Sequence, residues 1–523
     1  MTHWSDSIDT SGYGQATKSF MGMQIQPSVF FPTAIIALLV IVATLVWPEA
    51  SADVFSALRA AVVKRFDTFM MLAGDLLLLF CLVLALSPLG KLRLGGSKAM
   101  ADFSLLAWFS MLFGAGMGVG LVFYGVGEPL AHFGSSLGAQ AATNAPLGGA
   151  PGNAELARSL AMAATLFDWS LHPWAMYAVV GLGLAVFTYD FKMPLSLRSV
   201  FYPLFGKAVW GWTGDAIDVL AVFATLFGLA TSLGLGAQQA MAGITYLYGV
   251  PSAPYYVVGL IDIMAMVTYF SVAGGIERGI RLLSELNMFV AVALLLFVLL
   301  TGPTLLLLEN MFHNTANYLR WLPALANPFE RPDRSFFDDW SVYYWAWWIS
   351  WAPFVGLFMA RISRGRTVRE FLLGGLLAPS LLGILWLTVF GDAAIDQVSS
   401  GLNPALTTAS IDTQLFVLLG KLPWAGLTSV VAIALVLIFF ITGWDSGTLV
   451  IDTLTAGGRT DTSLRQKIVW LLSVGGIGVA LLLSGGLNSL QAGSIATGLP
   501  LAALMLLMCW GTLQGLLVLH RRR

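Results

Sequence analysis

The sequence predicts an all-α integral membrane protein with twelve transmembrane helices, and three observations carry that prediction. Of 523 residues, 57% are hydrophobic and only 11% charged, with a mean hydropathy of +0.80. Soluble domains carry about 25% charged residues, so this chain is built for lipid. Windows such as "SVFFPTAIIALLVIVATLVW" and "FVAVALLLFVLLTGPTLLLL" are long enough to cross a hydrocarbon core as helices. Lys and Arg cluster in alternate loops, which gives the spans one consistent direction.

In chain order, the apolar windows place spans near 28–47, 68–88, 103–125, 159–187, 210–238, 254–273, 284–306, 338–360, 370–391, 426–451, 467–484 and 489–518. A mixed polar tail, residues 1–27, precedes the first span, which is too long for a signal peptide. Residues 28–102 hold two leading helices. Lys91, Arg93 and Lys98 follow span two; Lys192, Arg198 and Lys207 follow span four; Arg278 and Arg281 follow span six. Arg361, Arg364, Arg366 and Arg369 follow span eight, and Arg459, Arg465 and Lys467 follow span ten. The chain ends on a short basic piece, residues 519–523. The positive-inside rule therefore predicts both termini in the cytoplasm and a multi-pass protein of the inner, or plasma, membrane. "LENMFHNTANYLRWLPALANPFE" (residues 308–330) is amphipathic and reads as a helix lying at the outer interface.

The composition excludes several classes. A net charge of −1 and the lack of a basic, aromatic-interleaved segment argue against a nucleic-acid partner. The only cysteines, Cys81 and Cys509, sit inside apolar spans, so neither a disulfide framework nor a cysteine metal site is expected. Five histidines without HExxH-type spacing argue against a membrane enzyme. A channel would need polar rings repeated between subunits, whereas the sequence offers one aromatic-lined pocket per chain.

Span three, "MLFGAGMGVGLVFYGVGEPL", has glycine at 114, 116, 118 and 120. Each glycine lowers helix propensity by about 1 kcal/mol relative to alanine, so the helix is expected to unwind here. Close helix packing through small residues is the alternative, but packing surfaces repeat every three or four residues, not every two. Unwound backbone at membrane depth survives where it lines a cavity, and its N–H groups and carbonyls can then meet a carboxylate or a cation. Gly116, Met117, Gly118 and Gly120 are the candidate site residues of this stretch.

Span eight, "YYWAWWISWAPFVGLFMARISRGRTVREF", concentrates tryptophan near its middle. Trp347 and Trp348 lie four and three residues before Trp351, so these side chains share a helical face. Span four adds "LFDWSLHPWAMYA", with Trp169, Trp174 and Tyr177. Rings at mid-depth suit a quaternary ammonium, which has no N–H to donate; each ring face contributes about 0.5–2 kcal/mol when desolvated. Core packing is the other reading of these rings. Asp168 is an aspartate at membrane depth, which costs at least about 2.5 kcal/mol on insertion. It is expected to pair with His172, four residues on, or to complement a cation or carry a proton.

The motifs "GAGMGVGLVFYGVGEPL", "WSLHPWAMYA", "WAWWISWAPFVGLFMARISRGRTVREF" and "DSGTLV" resemble the betaine/choline/carnitine transporters, from about Met70 to the end of span twelve. The resemblance implies a LeuT-like core of two inverted five-helix repeats, residues 103–307 and 331–518, with two N-terminal helices before it and the interfacial helix between the halves. It implies a homotrimer, an aromatic box of Trp169, Trp174, Tyr177 and Trp348, and further path tryptophans at 347 and 351. Substrate would be a zwitterionic onium compound such as glycine betaine, imported by alternating access without an organic cofactor. Choline carriers of the family tend to have aspartate where this chain has Gly120.

The same resemblance implies sodium coupling, with proton-coupled uptake of choline or another organic cation as the alternative. Candidate sodium positions are Gly114, Met117, Phe439 and Thr442, and, for a second site, Thr225 with Phe354. Gly443 and Leu229 stand where relatives supply oxygen ligands, which weakens both sites. Asp445 is expected to brace span ten. The short "LHRRR" end lacks the long charged tail of osmosensing relatives, so regulation through such a tail is not expected.

Overall fold

The computed structural model describes residues 17–116, 118–251, 253–273 and 277–522. A small antiparallel hairpin, β1 (Lys18–Phe20) and β2 (Met23–Ile25), leads the chain; Gly22, at φ +80°, makes its turn. Among the described residues, the chain after it is helical or connecting loop. The helices that matter below are α1 (Pro27–Val46), α2 (Pro48–Leu86), α3 (Leu105–Gly116), α4 (Val119–Leu137), α5 (Ala154–Trp169) and α6 (Leu171–Ala185). Then come α7 (Trp212–Tyr248), α8 (Pro254–Ala273), α9 (Glu277–Thr301), α10 (Thr304–Ala326) and α11 (Val342–Ile362). The chain closes with α12 (Val368–Leu387), α13 (Ala425–Thr455), α14 (Leu464–Gly485) and α15 (Leu487–Arg521).

Among the described residues, ten helices are long and apolar enough to cross a membrane. This is an all-α integral membrane protein with several membrane-crossing helices. The stretches expected as spans three and eight are not among the ten, for reasons legible in each. Span three is divided: α3 has 12 residues, Gly118 is extended (φ −154°, ψ 173°), and α4 restarts at Val119. Span eight, α11, is rich in Trp and Tyr, whose polar atoms lower its hydropathy.

Several expected boundaries are corrected. Span two was expected to begin at 68, yet α2 is one helix of 39 residues. Its polar first half docks on the segment before α11 through Arg59–Asp339 at 2.9 Å and Asp67–Arg334. Span four was expected as one helix. It is broken at Ser170 (φ −103°, ψ −116°), directly after Trp169, into α5 and α6. Span nine continues past α12 through a wide turn, Thr388–Asp392, to Ser399. The amphipathic segment is helical as expected. In α10, Leu307, Asn314, Tyr318 and Leu325 are buried, whereas Leu305 and Phe312 remain exposed on the opposite face.

Two contacts set the frame around the site. Helices α6 and α11 cross so closely that a Cβ on Gly181 would lie 2.9 Å from the Gly356 carbonyl oxygen, and one on Gly356 2.7 Å from Val180 Cβ. This allows the two aromatic sets to converge. On the side of the basic loops, the strand-like stretch Leu92–Leu94 pairs with the turn between α11 and α12: Leu94 N–H donates to Arg366 O at 2.9 Å and Val368 N–H to Leu92 O at 2.8 Å. Arg366 lies 5.0 Å over the Trp108 ring of α3, and Trp108 Nε1 donates to Ser363 Oγ at 2.9 Å. The arginine run is tied into the fold rather than presented as a free patch.

Candidate functional site

Helices α3, α4, α6, α7, α9, α11 and α13 enclose a cavity of about 1010 Å³. At one end it is lined by Phe103, Ser284, Glu285 and Phe358, which lie near the helix ends that adjoin the basic loops. Further in, it meets the break between α3 and α4 and the aromatic cluster.

The glycine break supplies backbone. Val119 opens a 19-residue helix whose N-cap, Gly118, has no side chain to satisfy the first N–H groups. Leu121 and Val122 already donate back to Gly118 O, at 3.1 and 3.4 Å. The first turn of α4 therefore presents its remaining N–H groups and its positive dipole end where Gly118 and Gly120 line the cavity. Gly120 has a second reason to be glycine. A Cβ there would lie 2.6 Å from Trp347 Cη2 and 3.1 Å from Trp169 Cη2, so a side chain would displace the rings. A Cβ on Gly118 meets nothing within 4 Å. Gly116 is the last residue of α3, and Met117 lies outside the described residues.

The rings supply the walls. Trp169 meets Trp348 edge-on with centroids 4.8 Å apart, and Trp347 stacks on Trp348 at 4.8 Å. Trp174 and Tyr177 are 5.2 Å apart, and Tyr177 is 6.4 Å from Trp348. All of these, with Trp351, line the same cavity. Their polar handles fix them: Trp348 Nε1 donates to the Asp168 carbonyl oxygen at 2.8 Å, and Trp351 Nε1 to Gly228 O at 3.0 Å. Trp347 Nε1, by contrast, is buried without a hydrogen-bond partner.

Asp168 behaves differently from expectation. Its carboxylate does not line the cavity, and His172 is not its partner: His172 Nε2 bonds Asp75 Oδ1 of α2 at 3.0 Å. The break at Ser170 turns the chain between the two residues, so the regular i,i+4 geometry does not apply. Asp168 instead converges with Glu128 and His132 of α4, and the three offer polar atoms all within 4.8 Å of one another. Sequence reading passed over Glu128 and His132. The available signal was Glu128 itself, an acid in the glycine-rich span, since intramembrane ionisable residues are conspicuous.

The candidate sodium positions separate into two groups. Gly114, Phe439 and Thr442 line the cavity, as do Gly443 and Ser446. A Cβ on Gly443 meets nothing within 4 Å, so the oxygen missing there leaves room. Thr442 Oγ1 donates to Ile438 O at 2.9 Å and keeps acceptor capacity. The second set fits poorly. Phe354 lines the cavity, but Thr225 does not and donates to Ala221 O at 2.8 Å. Leu229 fills the neighbouring space, with its Cδ1 2.2 Å from where a Gly447 Cβ would be. Hard cations want oxygen donors, which this second position lacks. Asp445 is buried in α13.

Comparison with known proteins identifies the family. Residues 28–519 match the model of the betaine/carnitine/choline family transporters. The chain is similar to a glycine betaine/proline/choline transporter of Vibrio parahaemolyticus, 46% identical over 502 residues that cover 95% of this chain and 91% of the relative. It is 44% identical to glycine betaine transporter 1 of the same organism, over 98% of each chain. A glycine betaine transporter of Acinetobacter baylyi is 38% identical over 94% of this chain and 73% of the relative.

Proposed function

Because the chain belongs to the betaine/carnitine/choline transporter family, and is thus a transporter rather than an enzyme, we propose that it imports a zwitterionic onium osmolyte, glycine betaine first among them. One observation carries this reading: a helix N-terminus and a cluster of ring faces meet in one cavity. Betaine carries an anion and a methylated cation on one short backbone. The open N–H groups of α4 suit its carboxylate, and Trp169, Trp174, Tyr177 and Trp348 suit its trimethylammonium. Trp347 and Trp351 extend the path. The names of the Vibrio and Acinetobacter relatives point to the same substrate class.

Choline, a cation without the carboxylate, is the second reading, since a relative named for glycine betaine, proline and choline is 46% identical. Gly120 speaks against it: an aspartate at this position would overlap Trp347 and Trp169.

Transport proceeds by alternating access in a twelve-span, LeuT-like arrangement of inverted repeats, 103–307 and 331–518, in a homotrimer of the inner membrane with both termini cytoplasmic. In that orientation the cavity opens inward. Sodium at Gly114, Phe439 and Thr442 is the coupling ion we favour at the first position, and the poor oxygen set around Leu229 argues for fewer sodium ions than two. The test is uptake of radiolabelled betaine, choline and carnitine into proteoliposomes, with sodium and proton gradients imposed separately. Sodium-driven betaine uptake that Trp348→Leu reduces is the expected result. Unchanged uptake in that variant would remove the cage from the argument, and uptake driven only by a pH gradient would replace sodium with a proton.

A further inference from the structure

Beside Trp169 and outside the cavity lining, Glu128 and His132 of α4 and Asp168 of α5 form a cluster whose side chains are 0%, 1% and 0% exposed. Glu128 Oε2 accepts from Trp169 Nε1 at 2.7 Å and from the Tyr344 hydroxyl. Its other oxygen is 3.6 Å from His132 Nε2, beyond an ordinary hydrogen bond. Neither Asp168 oxygen, nor Glu128 Oε1, nor His132 Nε2 makes a hydrogen bond, and all are buried. Each of the three side chains thus brings at least one unpartnered polar atom to the cluster.

Two ionised carboxylates this close in a buried interior repel, so the cluster favours taking up a positive charge. The neighbouring charged and titratable groups do not supply it. Tyr124 of α4 and Tyr343 and Tyr344 of α11 bring only hydroxyls, as does Ser341, which faces Asp168. Arg331, outside the cluster, is engaged by Asp333 at 2.7 Å; Arg59 pairs with Asp339, and Arg158 with Asp392. A sodium or magnesium ion fits badly, because an imidazole nitrogen takes one of the few positions and hard cations want a fuller oxygen shell.

We infer that Glu128 and Asp168 share one bound proton, with His132 as its neutral third neighbour, and that this proton communicates with the cage through the Trp169 N–H bond. The consequence rests on the cage reading above. When the pair is fully ionised, Glu128 draws harder on the indole N–H and adds negative potential behind the ring that meets the onium group. An onium ligand and the proton therefore compete for one charge, and by reciprocity acid weakens ligand binding.

Two measurements test this separately. The first is infrared spectroscopy of the reconstituted protein at neutral pH, as the difference between wild type and Glu128→Gln/Asp168→Asn. A protonated-carboxyl band in wild type, shifted in heavy water, is expected; carboxylate bands alone would show both acids ionised and overturn the inference. Should the double variant not fold, Asp168→Asn, which keeps the Trp169 and Tyr344 bonds to Glu128, serves in its place, and the wild-type band is followed on raising pH. The second is binding of glycine betaine, whose own charge is constant between about pH 5.5 and about pH 8. Affinity in wild type should fall about fivefold toward the acid end and stay flat in the variants. A flat wild-type curve overturns the link to the cage. Absence of betaine binding at every pH would overturn the substrate reading instead, and the infrared band would still decide the proton.

Discussion

The break between α3 and α4 and the continuous helix α11 face each other across the cavity and solve one problem in opposite ways. The break gives up helical hydrogen bonds and offers backbone; α11 stays helical, apart from the one bond that Pro353 cannot donate, and offers rings. Both pay in hydropathy, and both fall short of an ordinary apolar span. Helices that meet the standard also line the cavity, through Trp169, Trp174 and Tyr177 of α5 and α6 and Phe439 and Thr442 of α13. The comparison teaches that two of the cavity's walls depart from a good membrane helix, one through its backbone and one through its rings.

The comparison can be broken first at Gly120, where backbone and rings touch. Gly120→Asp or Gly120→Leu forces Trp347 and Trp169 apart. Overpacking costs about 1–3 kcal/mol, so betaine affinity should drop by about 5- to 150-fold while the protein still elutes as a single species. Gly118→Ala is the control, since its Cβ meets open space and its φ suits any residue. If both variants bind alike, the close approach at 120 is not what the glycine is for.

Removing a ring face is the next largest effect. Trp348→Leu should raise the dissociation constant for betaine by about 2- to 30-fold, and Trp348→Phe by less, measured by equilibrium binding of labelled ligand. Gly228→Ala acts on the anchor of a path ring: its Cβ would lie 2.8 Å from Trp351 Cδ1 and 2.6 Å from Ser350 Oγ. It should slow uptake severalfold with little change in affinity; a change in affinity alone would move Trp351 from path to box. Smallest is Gly443→Ser, which fills open space with one oxygen. Thermal stability should stay within about 0.5 kcal/mol of wild type, and half-maximal uptake should need less sodium. Identical sodium curves would remove Gly443 from the ion's surroundings.

Much of the cavity was legible in the sequence because its signals are local. Glycines two apart cannot form one packing stripe, and indoles three and four apart share a face. The missed features depend on partners distant in sequence. His172 looked suited to Asp168 by spacing, but the break at Ser170 cancels that spacing and Asp75 of α2 takes the imidazole. The mark of that break in "FDWSLHPW" is Pro173, which has no N–H for the Trp169 carbonyl four residues back and so disfavours a continuous helix there. The polar half of α2 was excluded from its span by hydropathy, yet it is held by Arg59–Asp339 and Asp67–Arg334, pairs that a window average cannot see. Glu128 was overlooked because its glycine-rich surroundings drew attention to backbone alone.

The short antiparallel contact between Leu92–Leu94 and the α11–α12 turn carries a mechanical consequence. Together with the Trp108–Ser363 hydrogen bond and Arg366 over the Trp108 ring, it ties the start of α3 to the end of α11, so the two walls share a common floor. Under the alternating access proposed above, the movement is expected to hinge around this clasp and open elsewhere. A disulfide across the bridged pair, Arg93→Cys with Thr367→Cys, should leave turnover nearly untouched, and arrested transport on oxidation would place the moving seam at the clasp itself.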